Sequence, residues 1–175
     1  LEGHRHDMAE LASLHVHHAD GVRALAQLAR ALALPSFASV IPAGPNGAPP
    51  LIAEISEELP GIGVDIRQTF GAFGSLKAQW PEPAESPIVI VAGVLTESAV
   101  LRTVLEARGG GCDVHVVLDA CAGLSERTEA AAIRQIEAQG GVTTSLASLA
   151  AGFVQDLSLP AGREVLSILR GVLNR

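Results

Sequence analysis

The chain has 175 residues, 48% of them hydrophobic and 18% charged, which suits one folded domain with a substantial core and excludes a disordered chain. Its 12 lysines and arginines stand against 19 acids, a formal net charge of −7, and the basic residues are scattered, which argues against a general nucleic-acid surface. Two cysteines are too few for a disulfide framework and make the cytoplasm the default compartment; no apolar run reaches membrane-spanning length, and the N-terminus lacks a signal-peptide core.

Residues 1–11, opening LEGHRHDM, are expected to be a tag-like or poorly ordered segment, and 12–175 a single domain. SLHVH (13–17) alternates as a strand, and GVRALAQLARALAL (21–34) is an amphipathic helix that Pro35 stops. PSFASVI follows as a second strand. PAGPNGAPP is a loop by composition, LIAEISEEL a short helix halted at Pro60, GVDIRQ a short strand, and GAFGSLKAQW a glycine-weakened helix.

The second half carries stronger signals. PIVIVAGVL (87–95) is too apolar for a solvated face, so it belongs in the centre of a parallel sheet, and a helix over 97–107 follows it. DVHVVLDA is a second buried strand, and SERTEAAAIRQIEAQ a helix whose start offers Ser125 as its cap. GVTTS is a short strand, and two helical segments separated by Pro160 end the chain. Strands alternating with helices need right-handed crossovers, which predicts a three-layer α/β/α sandwich around a mostly parallel, Rossmann-like sheet.

The junction VAGVLTESAV (91–100) is where chemistry is expected. A strand that turns into a helix at the carboxyl edge of such a sheet presents helix amides to an anion or a nucleophile. The residue just inside the helix is Ala99, which has no reactive group.

AGVLTESAV, with GCDVHVVLDACAGLSERTEAAAIRQIEAQGGVTTS after it, resembles the isochorismatase-like cysteine hydrolases, whose first block reads A-G-V-x-T-E-x-C-V. The G-P-N-G loop at 44–47 resembles one subgroup of them, and the likeness runs from about residue 12 to 157. The resemblance implies a cysteine nucleophile at the helix start, an aspartate ending the first strand as proton acceptor, and a lysine or arginine beside them. A helix terminus and a cation favour thiolate while a carboxylate moves the proton. Carried over residue by residue, the nucleophile position is Ala99, the aspartate position is His17, and the basic position is Arg67. Two of the three identities are missing, so the expectation is a catalytically impaired hydrolase fold that keeps a small, anion-accepting pocket bordered by Arg67, Thr96 and Ser98.

The alternative is an active hydrolase of a small amide or isochorismate-type substrate, with Ser98 as nucleophile, His17 as base and Asp20 as a possible orienting acid. Ser98 lies one residue early, about 100° around the helix. Thr96, Glu97 and Ser98 can instead cap the helix. Cys121 reads as a packed cysteine, and Asp119 as a brace for the turn after its strand. His4, His6, His15, His17 and His18 suggest metal, yet no companion ligands stand at metal-site spacing, so neither a metal nor a cofactor is expected. GPNG lacks a phosphate-loop ending, and no G-x-G-x-x-G follows the first strand. The expected partners are a small molecule, with anions among the candidates, and further copies of the chain, the latter because VLSILRGVL in the last helix is more apolar than one sheet face requires.

Overall fold

A computed structural model of the protein describes residues 18–42, 49–79 and 87–173. The expected strand over 13–17, His15, His17, and the G-P-N part of the 44–47 loop with its closing Gly47 lie outside the described residues. The elements are helix α1 (18–31), β1 (Ala38–Val40), α2 (Ala53–Ser56), β2 (Val64–Ile66), α3 (Phe73–Gln79), β3 (Ile88–Val94), a π-helical turn (Thr96–Val100) leading into α4 (Leu101–Gly109), β4 (Asp113–Ala122), α5 (Glu126–Ala138), β5 (Val142–Thr144), α6 (Leu146–Phe153) and α7 (Pro160–Leu173).

Every strand pairing among the described residues is parallel. β1 pairs with β2, and β4 lies between β3 and β5. The apolar runs of β3 and β4 bury both faces, because consecutive side chains point to opposite sides. On one face Val89, Val91, Val114 and Val116 pack with Phe73 of α3, Val104 and Ala107 of α4 and Ile136 of α5. On the other, Val117 and Ala120, with Ile90 packed beside them, meet Leu28 of α1, Leu149 of α6 and Val165 of α7. Two cores on two faces of one sheet make the expected α/β/α layering.

The β3–β4 ladder changes register at its carboxyl end. Val91 is opposite Val116, but Gly93 is opposite Cys121. Two steps along β3 therefore span five along β4, and the extra residues include Leu118 and Asp119, both exposed. Gly93 sits at φ +141°, a backbone state that L side chains rarely adopt, which is why glycine occupies the bulge.

Two expectations about the termini of elements change. Pro160 does not merely separate the last helices; it is the first residue of α7, where its fixed φ suits a helix start and its missing N–H has no consequence. The apolar stripe of α7 is also mostly satisfied within the chain: Val165 is buried, and Ile168, Leu169 and Val172 pack on the second core, leaving Leu173 82% exposed. The helix after β3 begins as a π turn rather than as regular α-helix. No helix among the described residues is long and apolar enough to cross a membrane.

Candidate functional site at the β3–α4 elbow

β3 ends at a cis peptide between Val94 and Leu95, and the chain then turns through Thr96–Val100. The Leu95 carbonyl accepts from the amides of both Ser98 and Val100, each at 3.2 Å. Two of the amides expected to face a ligand are thereby committed to the turn itself. Ala99 is 7% exposed, so its methyl group packs at the elbow. Its carbonyl accepts a 2.7 Å hydrogen bond from the Thr103 hydroxyl one turn later.

The polar residues of the elbow face α5 rather than their own helix. Thr96 is fully buried and donates through Oγ1 to Glu129 Oε1 at 2.7 Å. Glu97 Oε1 accepts from the Leu124 amide at 2.8 Å and from Thr128 Oγ1 at 2.6 Å, while Ser125 caps α5 from within by accepting the Thr128 amide. Leu95 and Val100, which precede the π turn and α4, supply no side-chain cap; Glu97 accepts from its own amide, as a residue satisfying its own helix start would, but its other bonds go to α5. Glu97 is thus also a tertiary cap, a carboxylate placed at the positive end of a neighbouring helix. Burial pushes its carboxyl up, but the bonds from Thr128 and from the amides of Glu97 itself, Leu124 and Ser125 outweigh that and hold it below the usual range.

Arg67 follows β2 and is only 9% exposed. Its Nε donates to Ser39 Oγ on β1 at 2.9 Å, and its Nη1 donates to the carbonyls of Thr69 and Phe70. This folds the 67–72 loop against α4. The Ala72 amide donates to Thr103 Oγ1 at 3.0 Å, so a chain of hydrogen bonds runs from Arg67 through the loop and Thr103 to the carbonyl of Ala99. Gly71 lies against the Glu106 carboxylate: a Cβ there would come within 2.1 Å of Oε2 and push that side chain aside. Arg67 therefore acts as a strut whose Nε and Nη1 are occupied by protein groups.

Of the residues expected at the site, Thr96, Ser98 and Ala99 share the elbow, and Arg67 is linked to it through Thr103; His17 lies outside the described residues. Cys121, opposite Gly93 in the ladder, is a free, buried thiol whose pKa burial pushes up to about 12. Cys112 is also free and buried, and burial pushes it up too. Asp119 is a brace, as expected, but of a more distant element: its Oδ2 accepts from the Leu146 amide at the start of α6. Among the described residues no group of three His, Cys, Asp or Glu side chains is placed to hold a metal ion, and His18, the one described member of the N-terminal histidines, lies in α1. Sequence pattern alone gave no signal for Thr103 or for Asp65, which lies on β2 two residues before Arg67.

The isochorismatase domain family matches residues 14–148. Isochorismatase domain-containing protein 2A of Mus musculus is 26% identical over 126 residues, covering 72% of this chain and 60% of that protein. The chain thus spans about 60% of the length of the curated relatives it matches. Among solved structures, YcaC from Pseudomonas aeruginosa, described with hexane-2,5-diol and covalent acrylamide, superposes with a TM-score of 0.74 at 26% identity, over 90% of this chain and 80% of that one. YcaC of Escherichia coli, described as an octameric hydrolase of unknown specificity, gives 0.71 at 26% identity, over 89% and 74%. With 135 of the 175 residues inside the match, the elbow and its ladder fall within the matched span, and the chain belongs to the isochorismatase domain family.

Proposed function

We propose that this protein is a catalytically impaired member of the isochorismatase domain family, a cytoplasmic, homo-oligomeric protein that binds a small molecule instead of hydrolysing it. The observation that carries the proposal is the buried methyl group of Ala99 at the position the family resemblance assigns to the nucleophile. No neighbouring thiol compensates, since Cys121 is packed in the core with its pKa raised to about 12, far from thiolate at neutral pH. Ser98 is the weaker candidate for a substitute, because it lies one residue before the Ala99 position, about 100° around a helix.

Assembly is supported by the octameric state of the Escherichia coli relative and by exposed Phe153, Leu157 and Leu159 around the α6–α7 connection. Light scattering at micromolar concentration is expected to show a multimer, and a clean monomer there would remove this part of the proposal.

The chemical test compares wild type with Ala99→Cys and with Ala99→Cys/His17→Asp, using iodoacetamide labelling, peptide mass mapping and turnover of small amides and isochorismate-type substrates. Wild type is expected to resist labelling in the folded state and to show no turnover. Ala99→Cys is expected to be alkylated at residue 99 without appreciable hydrolysis. The double variant is expected to exceed it, since general acid–base help is worth about 10² to 10⁴ in rate. Wild-type turnover equal to that of the double variant defeats the proposal.

A further inference from the structure

Asp65 and Arg67 stand two residues apart at the end of β2, so strand alternation places both side chains on one face. Ser39 is opposite Asp65 in the parallel ladder, and its hydroxyl accepts from Arg67 Nε. Three polar side chains from two strands therefore share one face at the carboxyl end of the β1–β2 sheet. Asp65 Oδ2 is shielded from solvent and has no hydrogen-bond partner, and among the described residues no ion pair joins it to Arg67. A shielded carboxylate oxygen with no donor is costly; Glu97 Oε2 is another, but there Oε1 is anchored by the Leu124 amide and the Thr128 hydroxyl, whereas at Asp65 the group facing the carboxylate is the Arg67 cation.

The surrounding charges bear on what the site admits. Burial pushes the Arg67 guanidinium down, while Asp65 and then Glu106 push it back up. Glu106 is itself paired with Arg102 at 3.1 Å. Two arginines against two acids leave the neighbourhood neutral, and Asp65 is the acid with no cationic partner of its own. An anion drawn to Arg67 meets the Asp65 carboxylate from the same strand face, and because Coulomb energy falls only as the inverse of distance, the repulsion offsets most of the attraction.

We propose that Asp65 is a specificity-determining residue that cancels the charge of Arg67, so that this site rejects anions and selects neutral ligands. The inference rests on the small-molecule binding proposed above and on the family resemblance that sets Arg67 beside the ligand, and it revises the anionic ligand that Arg67 alone suggests. Bare family logic places a cation there; the additional acid two residues earlier changes what that cation can receive.

Sulfate is the probe, titrated calorimetrically into the whole chain at constant ionic strength maintained with chloride, so that general screening is held fixed. Wild type is expected to bind sulfate weakly. Asp65→Asn is expected to bind it at least about tenfold more tightly, about 1.4 kcal/mol, and Asp65→Asn/Arg67→Met is expected to lose that gain. Asp65→Ser serves in the same role if the asparagine variant does not fold by circular dichroism. Equal affinity in wild type and in the folded Asp65 variant overturns the proposal, as does a gain that survives removal of Arg67. Substrate turnover by the wild type would defeat the impaired-hydrolase reading without altering these binding constants, so the two failures are distinguishable.

Discussion

The halves of this molecule on either side of residue 87 are held together by different physics. In the C-terminal half, β3 and β4 are 7 and 10 residues long and carry valines buried on both faces. In the N-terminal half, β1 and β2 have three residues each, Val64 and Ile66 are 40% and 58% exposed, and polar contacts do much of the joining. Arg67 ties β2 to β1 and to its own loop, and Glu58 gathers Gln27, Arg30 and Arg23 from α1. The elbow belongs to the first kind of structure and the Arg67 loop to the second. Apolar burial does most to fix where the elbow stands, whereas discrete hydrogen bonds fix the Arg67 loop beside it.

The largest test of this contrast is paired truncation. Ile136→Ala removes a fully buried side chain from α5 where it packs on β3, α4 and β4, and such changes cost about 2–5 kcal/mol. Ile66→Ala on β2 removes a side chain that is already more than half exposed, and surface changes of that kind fall within about 0.5 kcal/mol. Urea unfolding of both variants checks the difference, and comparable losses would erase the distinction between the halves.

A smaller effect is expected where the elbow uses polar contacts within the apolar half. Glu97→Ala removes the acceptor of the Leu124 amide, one of two acceptors of the Thr128 hydroxyl and a negative charge at the start of α5; both donors are exposed to water, so a loss of about 1 kcal/mol is expected. Thr96→Val keeps the shape but strands Glu129 Oε1, and about 1 kcal/mol is expected. If the Glu97 variant unfolds at the same urea concentration as wild type, the elbow owes its placement to apolar packing alone.

The same contrast explains what was legible in the amino-acid order. PIVIVAGVL and DVHVVLDA announce strands because burial on both faces demands continuous apolar residues, and both strands occur there, at Ile88–Val94 and Asp113–Ala122. Ser125 was recognisable as a cap because its partner amide is three residues away. Glu97 was not, because its partners lie 27 and 31 residues along the chain and no local pattern records them. The same holds for Thr103, whose partner Ala72 is 31 residues distant, and for Asp65, whose significance depends on a shared strand face and on Ser39 across the ladder. The bulge that spends five residues of β4 against two steps of β3 was equally hidden, since a run of apolar residues looks alike whether it is paired evenly or not. Family resemblance directs attention to Ala99 and Arg67; it does not reveal that the arginine's Nε and Nη1 are committed to Ser39 and the carbonyls of its own loop.

The smallest expected effect is on pH dependence, and it separates the halves most directly. Glu58 is buried at 9% exposure and accepts from Gln27 Nε2 at 2.8 Å and from Arg30 Nη1 at 2.7 Å, with Arg23 Nη1 at 3.4 Å. The hydrogen bond from Gln27 and the charges of Arg30 and Arg23 hold its carboxyl below the usual glutamate range, overcoming the upward push of burial. A carboxyl whose pKa is lower in the folded state than in the unfolded chain stabilises the fold above its unfolded value, and the contribution disappears as pH falls through its folded value. Acidification from neutrality should therefore leave the attachment of α1 intact until the ordinary glutamate range is reached, and weaken it below. Arg30 is half exposed on its side chain, so solvent screening limits the effect to about 1 kcal/mol. Glu97 titrates in the same direction within the other half, so raw acid sensitivity does not identify the source. Hydrogen exchange of the α1 amides in wild type and Glu58→Gln does. The variant should exchange faster than wild type at neutral pH, the two should converge as pH drops through the acidic range, and the amides of β4 should show no such convergence. Equal α1 exchange in both proteins at neutral pH would mean that Leu28 and its apolar neighbours, not the Glu58 cluster, hold α1 in place.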